Sequence, residues 1–126
     1  MSESKDQKKW DRDEVVVLVA EYFRTKYLLP KEIDDNYRRI SSILRKREYE
    51  ISEKKLSDIF RDYSGIRIQS GRIRCLDPDT EYDGMTGTKL QKEIVAEFIR
   101  NPEKIYKEAE AIIAKYEPAI KPIKAK

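Results

Sequence analysis

Gly65–Leu76, GIRIQSGRIRCL, decides the fold class because it reads in two ways. As a strand pair, Ile66 and Ile68 alternate with Arg67 and Gln69. Ser70-Gly71 then supplies a two-residue turn, and Arg72 and Arg74 alternate with Ile73 and Cys75. As a helix, Ile66, Ile73 and Leu76 share one face, Ser64 is the cap, and Gly71 costs about 1 kcal/mol. Taken alone, the local pattern favours a short β-hairpin over residues 66–75.

The flanking sequence is helical. Asp11 and Glu14 have the spacing of a capping box, and Trp10 and Val15 that of a hydrophobic staple. Val15, Leu18, Val19, Tyr22 and Phe23 recur on one helical face, which predicts a helix over residues 12–27. Leu28-Leu29-Pro30 ends it. Ile33, Tyr37, Ile40 and Leu44 predict a second helix over 32–48, and Ser52 can cap a short third through Leu56, Ile59 and Phe60. Thr88 caps a helix over 88–100 that carries Leu90, Ile94 and Phe98. Asn101-Pro102-Glu103 combines a cap, a proline at the first helical position and an acid in the first turn. The helix it opens carries Ile105, Ala109, Ile112, Ile113 and Tyr116 and stops before Pro118. The expected organisation is a disordered tail over residues 1–9, one helical domain over 10–117 and a basic tail over 118–126.

Composition narrows the function classes. The chain has 126 residues, one domain's worth, of which 39% are apolar and 40% charged, with a net charge of +3. The longest apolar run, Val15–Ala20, falls far short of the roughly 20 residues a membrane span needs. No secretory signal pattern is present, and one cysteine, Cys75, allows no internal disulfide, so a cytoplasmic location away from membranes is expected. There is no histidine, which removes Ser-His-Asp and Cys-His catalysis, His-metal sites and His-based nucleases. Asp77, Asp79, Glu81, Asp83 and Gly84 resemble the start of an EF-hand loop. Counting from Asp79, however, the twelfth position is Leu90 rather than a bidentate Glu, so no metal and no cofactor is expected.

Charge is spread unevenly. Residues 37–76 hold eleven basic side chains against five acidic ones, and eight of the eleven are arginine. Arginine's planar fork suits bidentate contact with phosphate or guanine. Arg67, Gln69, Ser70, Arg72 and Arg74 are the expected nucleic-acid contacts, with Arg38, Arg39, Arg45 and Arg47 as phosphate clamps around them. Tyr63 and Tyr82 are the candidates for base stacking, whereas Tyr22, Tyr37 and Tyr116 sit on apolar faces and belong to the core. Cys75 is read as a small, partly buried residue.

One segment carries a resemblance. Arg72-Ile73-Arg74-Cys75-Leu76-Asp77-Pro78, then Gly84 to Gly87, then Thr88-Lys89-Leu90-Gln91, follows an opening of Trp10, Asp13, Glu14, Leu18, Tyr22 and Phe23. This series resembles the N-terminal accessory domain that precedes HNH nuclease modules in 5-methylcytosine-specific restriction endonucleases, over about residues 9–114. Where that family has an Asn-aromatic pair this chain has Arg72-Ile73, and it lacks the nuclease module. The resemblance implies that Gly65–Leu76 is helical, the third helix of a helix-turn-helix-like centre. The fold expected is therefore an all-α domain of five to six helices.

Two functions compete. One is a non-catalytic, double-stranded DNA-binding domain protein. The other is a small protein-binding inhibitor or adaptor acting on a nuclease or phage-defence complex, an anti-CRISPR-like mobile-element product. Its acidic residues Asp77–Asp83, Glu93, Glu97, Glu103, Glu108 and Glu110 would then mimic DNA or dock a basic enzyme. No base–nucleophile or metal set can be assembled for an enzyme. Purified protein is accordingly expected to leave supercoiled plasmid intact in Mg²⁺; nicking activity that tracks the protein peak through chromatography would contradict this.

Overall fold

The computed structural model describes residues 8–117. They form five helices, α1 (Arg12–Thr25), α2 (Pro30–Ser52), α3 (Tyr63–Arg74), α4 (Lys89–Arg100) and α5 (Pro102–Tyr116), with no strand among the described residues. The domain is all-α, as expected. The expected tail over 118–126 lies outside the described residues, as does the expected N-terminal tail up to residue 7.

α1 is the axis of the fold and packs against each of the other four helices. Asp11 accepts from the Glu14 N–H and Glu14 accepts from the Asp11 N–H, both at 3.0 Å, closing the expected capping box. Val15 to Ala20 are buried without a break, so this helix is covered on every side rather than on one stripe. Ile43 and Leu44 from α2, Ile66 and Ile73 from α3, Ile94 from α4 and Ile105 from α5 close around it. At one end Phe23 stacks on Phe98 with centroids 4.2 Å apart, and Tyr106 meets Phe98 edge-on. Across the outside, Arg12 forks between Glu97 and Glu108, clasping α1 to α4 and α5.

α2 overruns its expected 32–48 at both ends. Pro30 takes the first helical position and Glu32 accepts from the Leu29 N–H. At the other end Ser52 belongs to the last turn instead of capping a new helix. Glu53 then turns left-handed (φ 57°) with its N–H on the Tyr49 carbonyl, and the expected short helix over 52–60 does not form. Residues 53–62 run as an irregular connection whose carbonyls are met by α2 side chains. Arg45 donates to Ser57 O (2.9 Å) and Phe60 O (2.6 Å), and Ser41 donates to Arg61 O (2.7 Å).

α3 settles the ambiguous segment as helix, against the local hairpin pattern. The cap is Asp62, accepting from Gly65 N–H at 2.9 Å, and not Ser64. Ile66 and Ile73 are fully buried while Ile68 is 43% exposed, which is helical spacing; a strand would place Ile66 and Ile68 on the same side. α2 and α3 pack on one another across the ten-residue connection 53–62, longer than the 3–4-residue turn of a helix-turn-helix.

The connection is locked by Arg61. Its side chain is 4% exposed and forks onto Glu14, 2% exposed, at 2.9 and 3.0 Å. The same guanidinium donates to the Lys8 and Lys9 carbonyls (3.1 and 3.2 Å) and lies between the rings of Trp10 and Phe60, 4.5 and 4.4 Å from their centroids. Lys8 also pairs with Glu48 at 2.7 Å, so residues 8 and 9, expected in the tail, are tied to the domain. Breaking a buried pair leaves the other charge uncompensated, so Arg61→Ala or Glu14→Gln should cost about 3–5 kcal/mol in urea unfolding. Lys31→Ala, removing an exposed pair, should cost no more than about 0.5 kcal/mol; equal costs would refute the lock.

Candidate nucleic-acid interface

α3 presents Ser64, Arg67, Ile68 and Arg74 to solvent. Arg67 and Arg74 have no ion-pair partner among the described residues and lie on the side expected. The rest of the expected contact set is engaged inside the protein. Ser70, expected to face outward, is 3% exposed. Gln69 accepts from Gln91 Nε2 at 2.8 Å. Arg72 donates to the Thr86 carbonyl at 2.6 Å, and its Nε is buried without a protein partner. Gly71 is covered as well: a Cβ there would come within 2.9 Å of the Met85 sulfur, so its lack of a side chain serves packing rather than a close external approach.

Of the four clamps of α2, Arg45 lies two turns from Arg38 on the same side, and the other two point elsewhere. At about 100° per residue, Arg39 points roughly 100° and Arg47 roughly 180° away from Arg38. Arg39 bonds Glu117 (2.6 Å), Glu21 (2.8 Å) and Asn36 (3.1 Å). Arg47 is nearly buried against Asp11 and Asp13, and Arg45 serves the 53–62 connection. Only Arg38 stays exposed, its guanidinium 4.2 Å over the Tyr63 ring, while the Tyr63 hydroxyl donates to Asp34 at 2.7 Å. Arg74 lies likewise 4.5 Å over Tyr82. The two tyrosines expected to stack on bases thus each carry an arginine. Arg38 lies over Tyr63, the first residue of α3 and one turn from Arg67, and Arg74 is two turns further along α3.

Behind this face two adjoining cavities, about 380 and 200 Å³, share Tyr22, Tyr37, Ser70 and Arg74 in their walls. Beside them sits Asp77, 2% exposed. It accepts from the Tyr22 hydroxyl (2.8 Å), Lys26 Nζ (2.8 Å) and the Asp79 N–H (2.9 Å). Lys26 also reaches Asp79 at 3.2 Å. The Asp-Pro-Asp segment is therefore a brace between the end of α3 and α1, and no cluster suited to a metal occurs among the described residues. Cys75 is half-buried, its sulfur accepting from the Met85 N–H.

Sequence reasoning missed this brace and the Arg61–Glu14 lock. Each joins residues far apart in the chain, and the sequence shows Asp77 only as part of an acidic loop. No family model, curated protein or solved structure matches the chain.

Burial pushes the Asp77 carboxyl up, but the Lys26 ammonium, the Asp79 N–H and the Tyr22 hydroxyl together hold it below the ordinary carboxylate range. Its contribution to stability is therefore complete above the unfolded value near ~3.9 and lost as pH falls through the lower folded value. Asp77→Asn should cost about 1–3 kcal/mol at neutral pH. In urea melts, the gap from wild type should narrow below pH ~4. A gap that stays constant down to pH ~2 would show that the charge at Asp77 contributes nothing.

Proposed function

We propose that this chain is a non-catalytic, double-stranded DNA-binding protein that docks through the outer face of α3. The reading rests on one observation: Arg67 and Arg74 stand without an ion-pair partner among the described residues on the exposed stripe of a short helix, with Arg38 of α2 over Tyr63 at its start, while the arginines around them are consumed by internal contacts. At a rise of about 1.5 Å per residue, Arg67 and Arg74 are separated by roughly 10 Å along the axis, a span that fits a major groove about 12 Å wide. Arg38 would meet a flanking phosphate. A relation to restriction-endonuclease accessory domains belongs to the same proposal, as do a cytoplasmic location and a role in restriction or phage defence. The domain would recognise DNA and leave cleavage to another protein.

A second reading draws on Tyr27, Leu28 and Leu29, three exposed apolar side chains in a row between α1 and α2, with Tyr27 83% exposed. Such a patch fits a protein partner, an inhibitor's or adaptor's target in a nuclease or defence complex.

Gel shifts on duplex DNA separate the two. Binding should fall steeply with salt, and Arg38→Ala should flatten the log–log slope by about one unit. Arg67→Ala with Arg74→Ala should weaken binding by roughly 1–3 kcal/mol for each bidentate base contact. Arg47→Ala should lower stability and leave affinity alone. If Lys121→Ala with Lys124→Ala abolishes binding and the arginine pair does not, the contact lies in the C-terminal residues and α3 is not the interface.

A further inference from the structure

The groove behind α3 has features that duplex docking does not use. Its larger cavity, about 380 Å³, is within the range of small-ligand sites. Tyr22, Tyr27 and Tyr37 line it, and Tyr82 lines the smaller cavity next to it. Such aromatic walls suit a planar ring.

The electrostatics select the ligand's charge. The two carboxylates at this end of the groove, Asp77 and Asp79, are both held by Lys26. Arg74 borders both cavities and Arg67 the smaller, and neither has a carboxylate partner among the described residues. Lys26, Arg67 and Arg74 against Asp77 and Asp79 leave the groove one positive charge in excess, on the arginine side. Arg74 lies 4.5 Å over the Tyr82 ring and its side-chain N–H groups make no hydrogen bond among the described residues, so they are available to fork onto an oxyanion. Ser70, almost fully buried, borders both cavities and offers a hydroxyl where ring and anion would join.

We infer that this groove binds a nucleotide, its base against the tyrosines and its phosphate on Arg67 and Arg74. The shared chemistry is a planar base carrying a phosphate, supplied by a free mononucleotide or by an unpaired nucleotide of a strand. The site does not depend on duplex docking by the outer face of α3, although both would use the same two arginines.

The test is a titration of the ¹⁵N-labelled full chain with adenosine 5′-monophosphate, adenosine, inorganic phosphate and a short oligothymidylate. Adenosine monophosphate should saturate and shift the amides of Tyr22, Tyr37, Ser70 and Arg74. Adenosine and phosphate alone should each bind at least about tenfold more weakly, since each lacks half the recognised group. Arg67→Ala with Arg74→Ala, both exposed and outside the core, should reduce nucleotide affinity at least about tenfold with an otherwise unchanged spectrum. Tyr37→Leu should weaken adenosine monophosphate more than phosphate. An oligothymidylate that binds far more tightly than the mononucleotide identifies a strand as the source; equal affinity identifies a free nucleotide. Three results would overturn the inference: no saturable shift, phosphate alone matching the mononucleotide in affinity and pattern, or unaltered binding in the double arginine variant. Duplex gel shifts on the same preparations score the docking reading separately, so either can fail without the other.

Discussion

The placement of α3 depends on one buried ion pair. Arg61 adopts a left-handed backbone conformation (φ 47°), unusual for a residue with a side chain, and its guanidinium crosses to Glu14 at the start of α1. Glu14 is at the same time the N3 residue of the α1 capping box. A single carboxylate thus accepts from the Asp11 N–H at the start of α1 and neutralises the buried Arg61 of the 53–62 connection. Asp62, the next residue, caps α3. The order of causes runs along the chain: the pair fixes Arg61, Arg61 fixes Asp62, and Asp62 starts α3 in the phase that turns Ile66 and Ile73 inward and Arg67 and Arg74 outward. Such a pair adds little net stability over a well-packed apolar substitute, because two charges were taken out of water to make it. What it supplies is register, since few other arrangements satisfy both charges.

The far end of α3 is held by a second buried carboxylate. Asp77 draws together the Tyr22 hydroxyl and the Lys26 ammonium from the last turns of α1 and closes a turn through the Asp79 N–H. The cost of removing these groups from water is met by three donors at one acceptor. α3 is therefore tied to α1 by polar contacts at both ends and by Ile66 and Ile73 between them.

Much of the fold was legible because its signals are local. Asp11 with Glu14, Thr88 and Asn101-Pro102 each mark a helix start by chemistry within one turn, and each is used as expected, whereas Pro30, read only as the end of the first helix, opens α2. Gly65–Leu76 was not legible locally, because Ile66 and Ile68 fit a two-residue period while Ile66, Ile73 and Leu76 fit a helical one. The decision came from α1, which offers a surface that accepts Ile66 and Ile73 and leaves Ile68 outside. Ser52 misled for a related reason: a serine can cap a helix or sit in its last turn, and the left-handed Glu53 after it chooses the second role. The candidate site was less legible than the fold. Neighbours in sequence diverge on a helix, which turns Arg39 and Arg47 away from Arg38, and the 53–62 connection takes up Arg45, so the run from Arg38 to Arg47 leaves one fully exposed side chain.

That redistribution bounds what the surface can do. Of the arginines in the basic third, Arg39, Arg45, Arg47, Arg61 and Arg72 spend their N–H groups on the protein itself. A face left with Arg38, Arg67 and Arg74 can neutralise about three phosphates, far fewer than the 6–10 contacts of proteins held on DNA mainly by charge. On the proposed reading, a partner at this face would draw its remaining affinity from shape and from groups other than lysine and arginine. The aromatic groove is the nearest such source: it adjoins the same arginines and is built on elements held at both ends of α3. A rigid display of few charges favours selective recognition over tight general adhesion, because little ordering cost is added on binding and little electrostatic attraction is available to a mismatched partner.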